Sequence, residues 1–150
     1  MPWRRTRAET EPGPGMEHAD LGRWMARYER AWRTAGTVPL EDLFTADASY
    51  RNAPFAEPIQ GRAAIGSFWE SERDSPDEVF TMCWEPVAVE DAVCVVRVEV
   101  AYGTPPAKVY RDLWIVTLEP DGHCSAFEEW PFFPGQPLSS REPGGAGPAD

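Results

Sequence analysis

The stretch Tyr110-Arg111-Asp112-Leu113-Trp114-Ile115-Val116-Thr117-Leu118 has the pattern of a β-strand with one carboxylate in its middle. Side chains of a strand alternate between two faces, so Asp112 shares an otherwise apolar face with Tyr110 and Trp114. Burial without a partner disfavours the ionised carboxylate and raises its pKa. We therefore expect Asp112 either to be a neutral hydrogen-bond donor in a pocket, or to pair with an arginine or with backbone amides.

The region around this stretch has the two-residue period of β-strands from residue 79 onward. Short turns, such as Pro120-Asp121-Gly122, divide the region and predict antiparallel hairpins. The four predicted strands are residues 79–89, 92–102, 107–118 and 123–133.

The first half of the chain has helical periodicity instead. Apolar residues at helical spacing from Leu21 to Trp32 predict a first helix, and Pro39 opens a short helical turn. Residues 49–52 predict a short strand, and residues 62–72 predict a further helix. Helices followed by a strand meander predict an α+β fold, with N-terminal helices packed over a curved antiparallel sheet.

The composition limits the classes of partner. The 150 residues carry a net charge of −11, which argues against nucleic acid and anionic membrane surfaces. Residues 1–16 and 136–150 are rich in Pro, Gly and charge, which predicts disordered tails around a domain at 17–135. No apolar run resembles a signal peptide or a membrane span, and the three cysteines have no CxxC spacing. We expect a cytoplasmic protein without a metal or other cofactor.

The faces of the predicted strands differ in polarity. Arg97 and Glu99 alternate with valines, so they are expected to point away from the helices. Glu128, Trp130 and Phe132 share the outward face of the last strand. Aromatic residues on an uncovered sheet face predict a homodimer that forms through this face.

Several segments resemble the SnoaL-like branch of the NTF2-like superfamily. They are Leu43-Phe44-Thr45-Ala46-Asp47-Ala48-Ser49-Tyr50, Gly61-Arg62-Ala63-Ala64-Ile65, Phe68-Trp69, and Asp121-Gly122 before Phe127-Glu128-Glu129-Trp130. The resemblance covers residues 20–135 or so. It implies a cone in which helices close over a curved sheet and leave a deep, mostly apolar pocket. Such proteins include isomerases, cyclases, dehydratases, epoxide hydrolases and members with no chemistry, so the fold alone leaves the function open.

The resemblance to ketosteroid isomerase within this superfamily extends to individual positions. Met25-Ala26-Arg27-Tyr28 is similar to the segment that carries the oxyanion-hole tyrosine of that enzyme, which implies this role for Tyr28. Asp112 falls where the isomerase has a carboxylic acid that an apolar site keeps neutral. Two donors that converge on one oxygen would stabilise an enolate. The other interpretation of Tyr28 is a core aromatic whose hydroxyl is satisfied.

The general base of the isomerase has no counterpart, because Asn52 aligns with the catalytic aspartate and an amide cannot exchange a proton at neutral pH. Glu129 is our candidate base, with Asp47 and Glu57 as alternatives. The remaining residues expected to line the pocket are Asn52, Trp69, Val98, Tyr110, Trp114 and Phe127.

Two functions follow from these residues. One is a cofactor-independent enzyme that acts on a hydrophobic small molecule by acid/base chemistry, with Asp112, Tyr28 and Glu129 as its catalytic residues. The other is a ligand-binding or dimerisation module without turnover, which the asparagine at position 52 favours. Protein recognition of the transport-factor kind ranks third, because no partner surface is recognisable in the sequence.

Overall fold

The computed structural model describes residues 18–73 and 77–136, and all statements below concern these residues. The predicted tails lie outside them, apart from Gln136. Two α-helices, one 3-10 helix and six strands follow one another in the order α1 (His18–Trp32), 3-10 helix (Val38–Asp42), β1 (Phe44–Arg51), β2 (Ile59–Gln60), α2 (Arg62–Glu72), β3 (Phe80–Glu90), β4 (Val93–Tyr102), β5 (Lys108–Leu118) and β6 (Cys124–Phe132).

The six strands form one sheet in the order β2-β1-β6-β5-β4-β3. Strands β3 to β6 make the predicted antiparallel meander. The α+β fold with helices over a curved sheet is confirmed, and the structure adds one parallel pair, β1 with β6. A parallel neighbour is accessible to β1 because β1 and β6 are joined by a long connection rather than by a hairpin.

Strand β1 is longer than the sequence predicts, since it begins at Phe44 and not near residue 49. The register between β1 and β6 shifts between Phe44 and Ser49. An irregularity of this kind interrupts strict alternation, so Thr45-Ala46-Asp47 does not resemble a strand in the sequence. Further register shifts lie in β3 and at the end of β5, where they help the sheet to bend.

One carbonyl oxygen joins α1 to the sheet. Leu43 O accepts a hydrogen bond from Trp24 Nε1 at 3.0 Å and another from the backbone nitrogen of Cys124 at 2.7 Å. Around this point the buried face of α1 contacts aromatic residues of β1 and β6, with ring centroids of Trp24 and Phe127 5.9 Å apart. The sheet face that carries Val96, Val116 and Phe127 is therefore the covered face, as the alternation predicts.

The opposite face of the sheet has no helix over it among the described residues. Ion pairs join Arg97 to Glu85 and Arg111 to Glu99 across neighbouring strands, at 3.1 and 2.9 Å. The same face also carries an apolar set of half-buried side chains on β4, β5 and β6, namely Val95, Leu113, Ile115 and Trp130. Neither α1 nor α2 is long and apolar enough to cross a membrane.

Candidate functional site

A cavity of about 440 Å³ opens between the helices and the covered face of the sheet. Helix α1 contributes Tyr28 and Trp32, and β1 contributes Tyr50. Strands β3 to β6 form the floor, because every second side chain of each strand points toward the helices. The result is a pocket with aromatic walls in which polar side chains come from several different elements.

Asp112 lies in this floor and is 8% exposed. Its partners in the sheet register are Val98 on β4 and Pro131 on β6, neither of which has a side-chain donor. Asp112 Oδ2 accepts a hydrogen bond from Trp114 Nε1 at 3.0 Å, whereas Oδ1 is buried without a hydrogen-bond partner among the described residues. Of the two expectations for Asp112, the structure shows neither an arginine nor a backbone amide as its partner.

Burial raises the pKa of Asp112 to about 6, and the hydrogen bond from the Trp114 indole opposes this shift. The cause is the loss of water around the carboxylate, which the single donor offsets only in part. Asp112 is therefore partly protonated at mildly acidic pH and largely ionised above neutral pH.

Glu129 lines the same cavity from the neighbouring strand β6. It lies opposite Trp114 in the register, while Asp112 lies opposite Pro131, so the two acids are diagonal neighbours on one face. Diagonal neighbours have Cα atoms about 7–8 Å apart. The structure thus brings together two carboxylates that were predicted from separate stretches of the sequence.

Burial, together with the smaller effect of the charges of Asp112 and Glu72, raises the pKa of Glu129 to about 7. Tyr50 opposes the shift, because its hydroxyl donates a hydrogen bond to Glu129 Oε1 at 2.8 Å. A carboxyl group with a pKa near the working pH can both take up and release a proton.

Tyr28 reaches the cavity from α1, with its ring 4.6 Å from that of Trp114 and 5.1 Å from that of Trp69. Its hydroxyl interacts with that of Tyr50. Burial, followed by the charge of Glu129, raises the pKa of Tyr28 well above its usual range. Tyr28 is therefore a neutral hydroxyl that can donate a hydrogen bond inside the cavity, at the end of a chain that continues through Tyr50 to Glu129.

The other predicted lining residues divide into two groups. Asn52, Tyr110 and Trp114 line the cavity. Trp69, Val98 and Phe127 do not line it: they are buried behind its wall, with at most 2% of each residue exposed. They belong to the buried core that surrounds the cavity.

The alternative bases, Asp47 and Glu57, are exposed and do not line the cavity. The residues described also hold no group of three or more His, Cys, Asp or Glu side chains arranged to bind a metal. Of the three candidate bases, Glu129 is therefore the one that lines the cavity, together with Asn52 and Asp112.

Tyr50 belongs to the site although it was not among the residues predicted from the sequence. It precedes Asn52 by two positions, so the alternation of β1 could have placed both on one face. Its partner Glu129 is 79 positions away, and no local pattern predicts that contact. Glu72, Glu78 and Lys108 were also missed, and they line the open end of the cavity.

We predict that Tyr50→Phe raises the pKa of Glu129 above about 7, because the substitution removes the hydrogen bond that favours the ionised form. Asp112→Asn lowers the same pKa, since a neutral amide no longer repels the Glu129 charge. Carboxyl ¹³C shifts followed through a pH titration measure both effects. Shifts of the same sign in the two variants would contradict this arrangement.

Comparisons with known proteins identify a family and a fold. The sequence profile of the SnoaL-like domain matches residues 25–126. No curated protein matches the chain significantly.

Solved structures show the same fold at low sequence identity. A protein from Agrobacterium tumefaciens, classed as an isomerase of the SnoaL-like family, is 13% identical with a TM-score of 0.61, covering 76% of this chain and 98% of its own. The epoxide hydrolase/cyclase-like enzyme SalBIII, described in pyran ring formation in the polyether salinomycin, is 16% identical with a TM-score of 0.61, covering 77% and 93%. A protein from Kribbella flavida classed as a ketosteroid isomerase is 16% identical with a TM-score of 0.57, covering 85% and 84%.

Such distant neighbours show the fold and not the reaction, whereas the profile match spans most of the chain. The chain belongs to the SnoaL-like domain family.

Proposed function

We propose that the cavity is the active site of an enzyme that moves protons on a hydrophobic small molecule and needs no bound cofactor. The observation that carries the proposal is the pair Asp112 and Glu129, which lie on one wall of one cavity with pKa values raised to about 6 and about 7. Carboxyl groups with perturbed pKa values in a cleft are typical of catalytic sites.

The hydrogen bonds suggest that one of the two residues is the general base and the other the general acid. Asp112 has an oxygen that accepts no hydrogen bond, and its pKa is the lower of the two, so it serves as the general base. Glu129 keeps its proton to higher pH. Its Oε1 can accept the Tyr50 hydroxyl while Oε2–H donates to the substrate. This assignment exchanges the roles that the sequence analysis expected for the two residues.

Tyr28 completes the site as a neutral donor, whose hydroxyl hydrogen turns from the Tyr50 oxygen to an oxygen atom of the substrate. It remains protonated at all physiological pH values because burial and neighbouring negative charge raise its pKa. A donor that stabilises developing negative charge, beside a base and an acid, suits isomerisation of an enolisable ketone, dehydration, or ring closure onto an epoxide. The isomerase and cyclase names among the structural neighbours support this range.

A second candidate function is binding of a small molecule without turnover. The observation that favours it is Asn52, which lines the cavity at the position where the resemblance places a general base. In that case the two raised pKa values reflect burial and neighbouring charges without a role in catalysis. Assays of turnover and of binding on the same variants separate the two functions.

We predict that Asp112→Asn and Glu129→Gln each lower kcat/KM by about 10²–10⁴-fold on the best substrate from a panel of enolisable ketones, epoxides and β-hydroxy ketones. Glu128→Gln is the matched control, since Glu128 precedes Glu129 and points to the opposite face of β6. For the wild type, kcat/KM falls below about pH 6 as the base becomes protonated. It also falls above about pH 7 as the acid ionises. Equal losses in the Glu128 and Glu129 variants would argue against the proposal.

We further propose that two copies of the chain pair through the uncovered sheet face, where Val95, Leu113, Ile115 and Trp130 form the apolar set. Burial of such a face is favourable in a symmetric dimer. Sedimentation velocity at micromolar concentration is expected to show a dimer that Ile115→Glu converts to a monomer. Ala63→Glu, on the exposed side of α2, should leave the dimer intact. A monomeric wild type would overturn this proposal.

A further inference from the structure

The charges around the cavity are strongly unbalanced. Among residues 18–73 and 77–136, four acidic side chains line it, namely Glu72, Glu78, Asp112 and Glu129, against one ammonium, that of Lys108. Glu72 and Lys108 are exposed and Glu78 is half-buried, so these three lie at the open end, whereas the two acids of the proposed active site lie in the interior. A cavity with this lining attracts cations and repels anions.

The negative charge at the open end reaches the interior. Glu72 raises the pKa of Glu129, and Glu78 raises the pKa of Tyr102 to about 12 together with the larger effect of burial. A positively charged group placed between these carboxylates would therefore relieve repulsion along the whole cavity.

The walls also carry aromatic rings, which favour a cation. Trp32, Phe68 and Tyr102 also line the cavity, and aromatic rings attract ammonium and guanidinium groups. Two arginines that lie outside the cavity already pack against aromatic rings of residues that line it. Arg33 Cζ lies 3.8 Å from the ring centroid of Phe80, and Arg73 Cζ lies 5.4 Å from that of Trp32.

Neither arginine lines the cavity or neutralises its carboxylates. Arg33 bonds to Glu29 and to the carbonyl of Phe80. Arg73 bonds to Glu70 and to carbonyl oxygens at the end of α1 and in the turn that follows. Their charges are thus paired outside the pocket.

The buried end of the cavity also indicates a ligand. Asp112 is more than nine-tenths buried, and its Oδ1 has no hydrogen-bond partner among residues 18–73 and 77–136. Such an oxygen costs stability unless something in the cavity donates to it. The cavity therefore offers an acceptor at its buried end, aromatic faces along its length and carboxylates at its opening.

We propose that the ligand of this cavity is a hydrophobic molecule that carries a protonated amine. The ammonium group lies between Glu72 and Glu78 against the aromatic rings. The largely apolar body extends inward and carries a donor group that reaches Oδ1 of Asp112. This inference deepens the proposed function, on whose cavity it rests, by naming the class of substrate. A steroid or polyketide without a basic nitrogen would leave the carboxylates at the opening unused.

The test is binding, measured by tryptophan fluorescence with three probes of one skeleton: 4-phenylbutylamine, 4-phenylbutanol and 4-phenylbutanoate. We expect the amine to bind about tenfold more tightly than the alcohol, and the carboxylate more weakly than both. Affinity for the amine should fall as ionic strength rises, whereas affinity for the alcohol should not.

Charge-matched variants locate the effect. Glu72→Gln with Glu78→Gln should bring the amine to within about threefold of the alcohol. Glu57→Gln with Glu128→Gln changes the net charge equally away from the cavity and should preserve the preference. All four glutamates lie at exposed or half-buried positions, so each protein is expected to fold.

Equal binding of amine and alcohol, tighter binding of the carboxylate, no detectable amine binding, or equal effects of the two double variants would overturn the inference. A preference for the amine with no turnover of any substrate would instead overturn the proposed function and leave this inference standing. Turnover of neutral substrates without a preference for cations would overturn this inference and leave the proposed function standing.

Discussion

The placement of Asp112 between Val98 and Pro131 is the constraint on which the site depends. Because its neighbours across both strands lack side-chain donors, the carboxyl group receives a single hydrogen bond from the described residues, that of Trp114 in its own strand. The loss of hydration is therefore compensated only in part, and the pKa of Asp112 is raised. Glu129 then ionises in the field of this second acid, which raises its pKa too.

The aromatic packing under α1 maintains that desolvation. Tyr28 lies against Trp69 and Trp114, and the bonds from Trp24 and from the Cys124 backbone to the Leu43 carbonyl fix α1 against β1 and β6. Dense packing of this kind excludes water from one end of the cavity while the other end stays open. Packing and chemistry are therefore coupled, since a displaced α1 would both hydrate the acids and remove the Tyr28 hydroxyl.

Much of the architecture could be predicted from the sequence because it depends on periodicity. The second helix has the predicted bounds, and the four C-terminal strands match closely. The inner position of Asp112 followed from alternation alone. What lies in the cavity and what lies behind it depends on how the helices are placed, so the depth of Trp69, Val98 and Phe127 was not predictable. The Tyr50 to Glu129 contact joins residues far apart in sequence, and the irregular start of β1 hid its length.

The stability of Asp112→Asn as a function of pH tests the central claim most directly. The folded-state pKa of Asp112, about 6, lies above its ordinary value of 3.8, so the wild type loses stability as pH rises through this window. The Asp112→Asn variant has no carboxyl group at this position, so it does not lose this contribution to stability. Urea unfolding at pH 4 and pH 8 should show the variant gaining about 1–3 kcal/mol over the wild type between the two pH values. A difference that is independent of pH, or a variant that becomes relatively less stable at pH 8, would contradict the account.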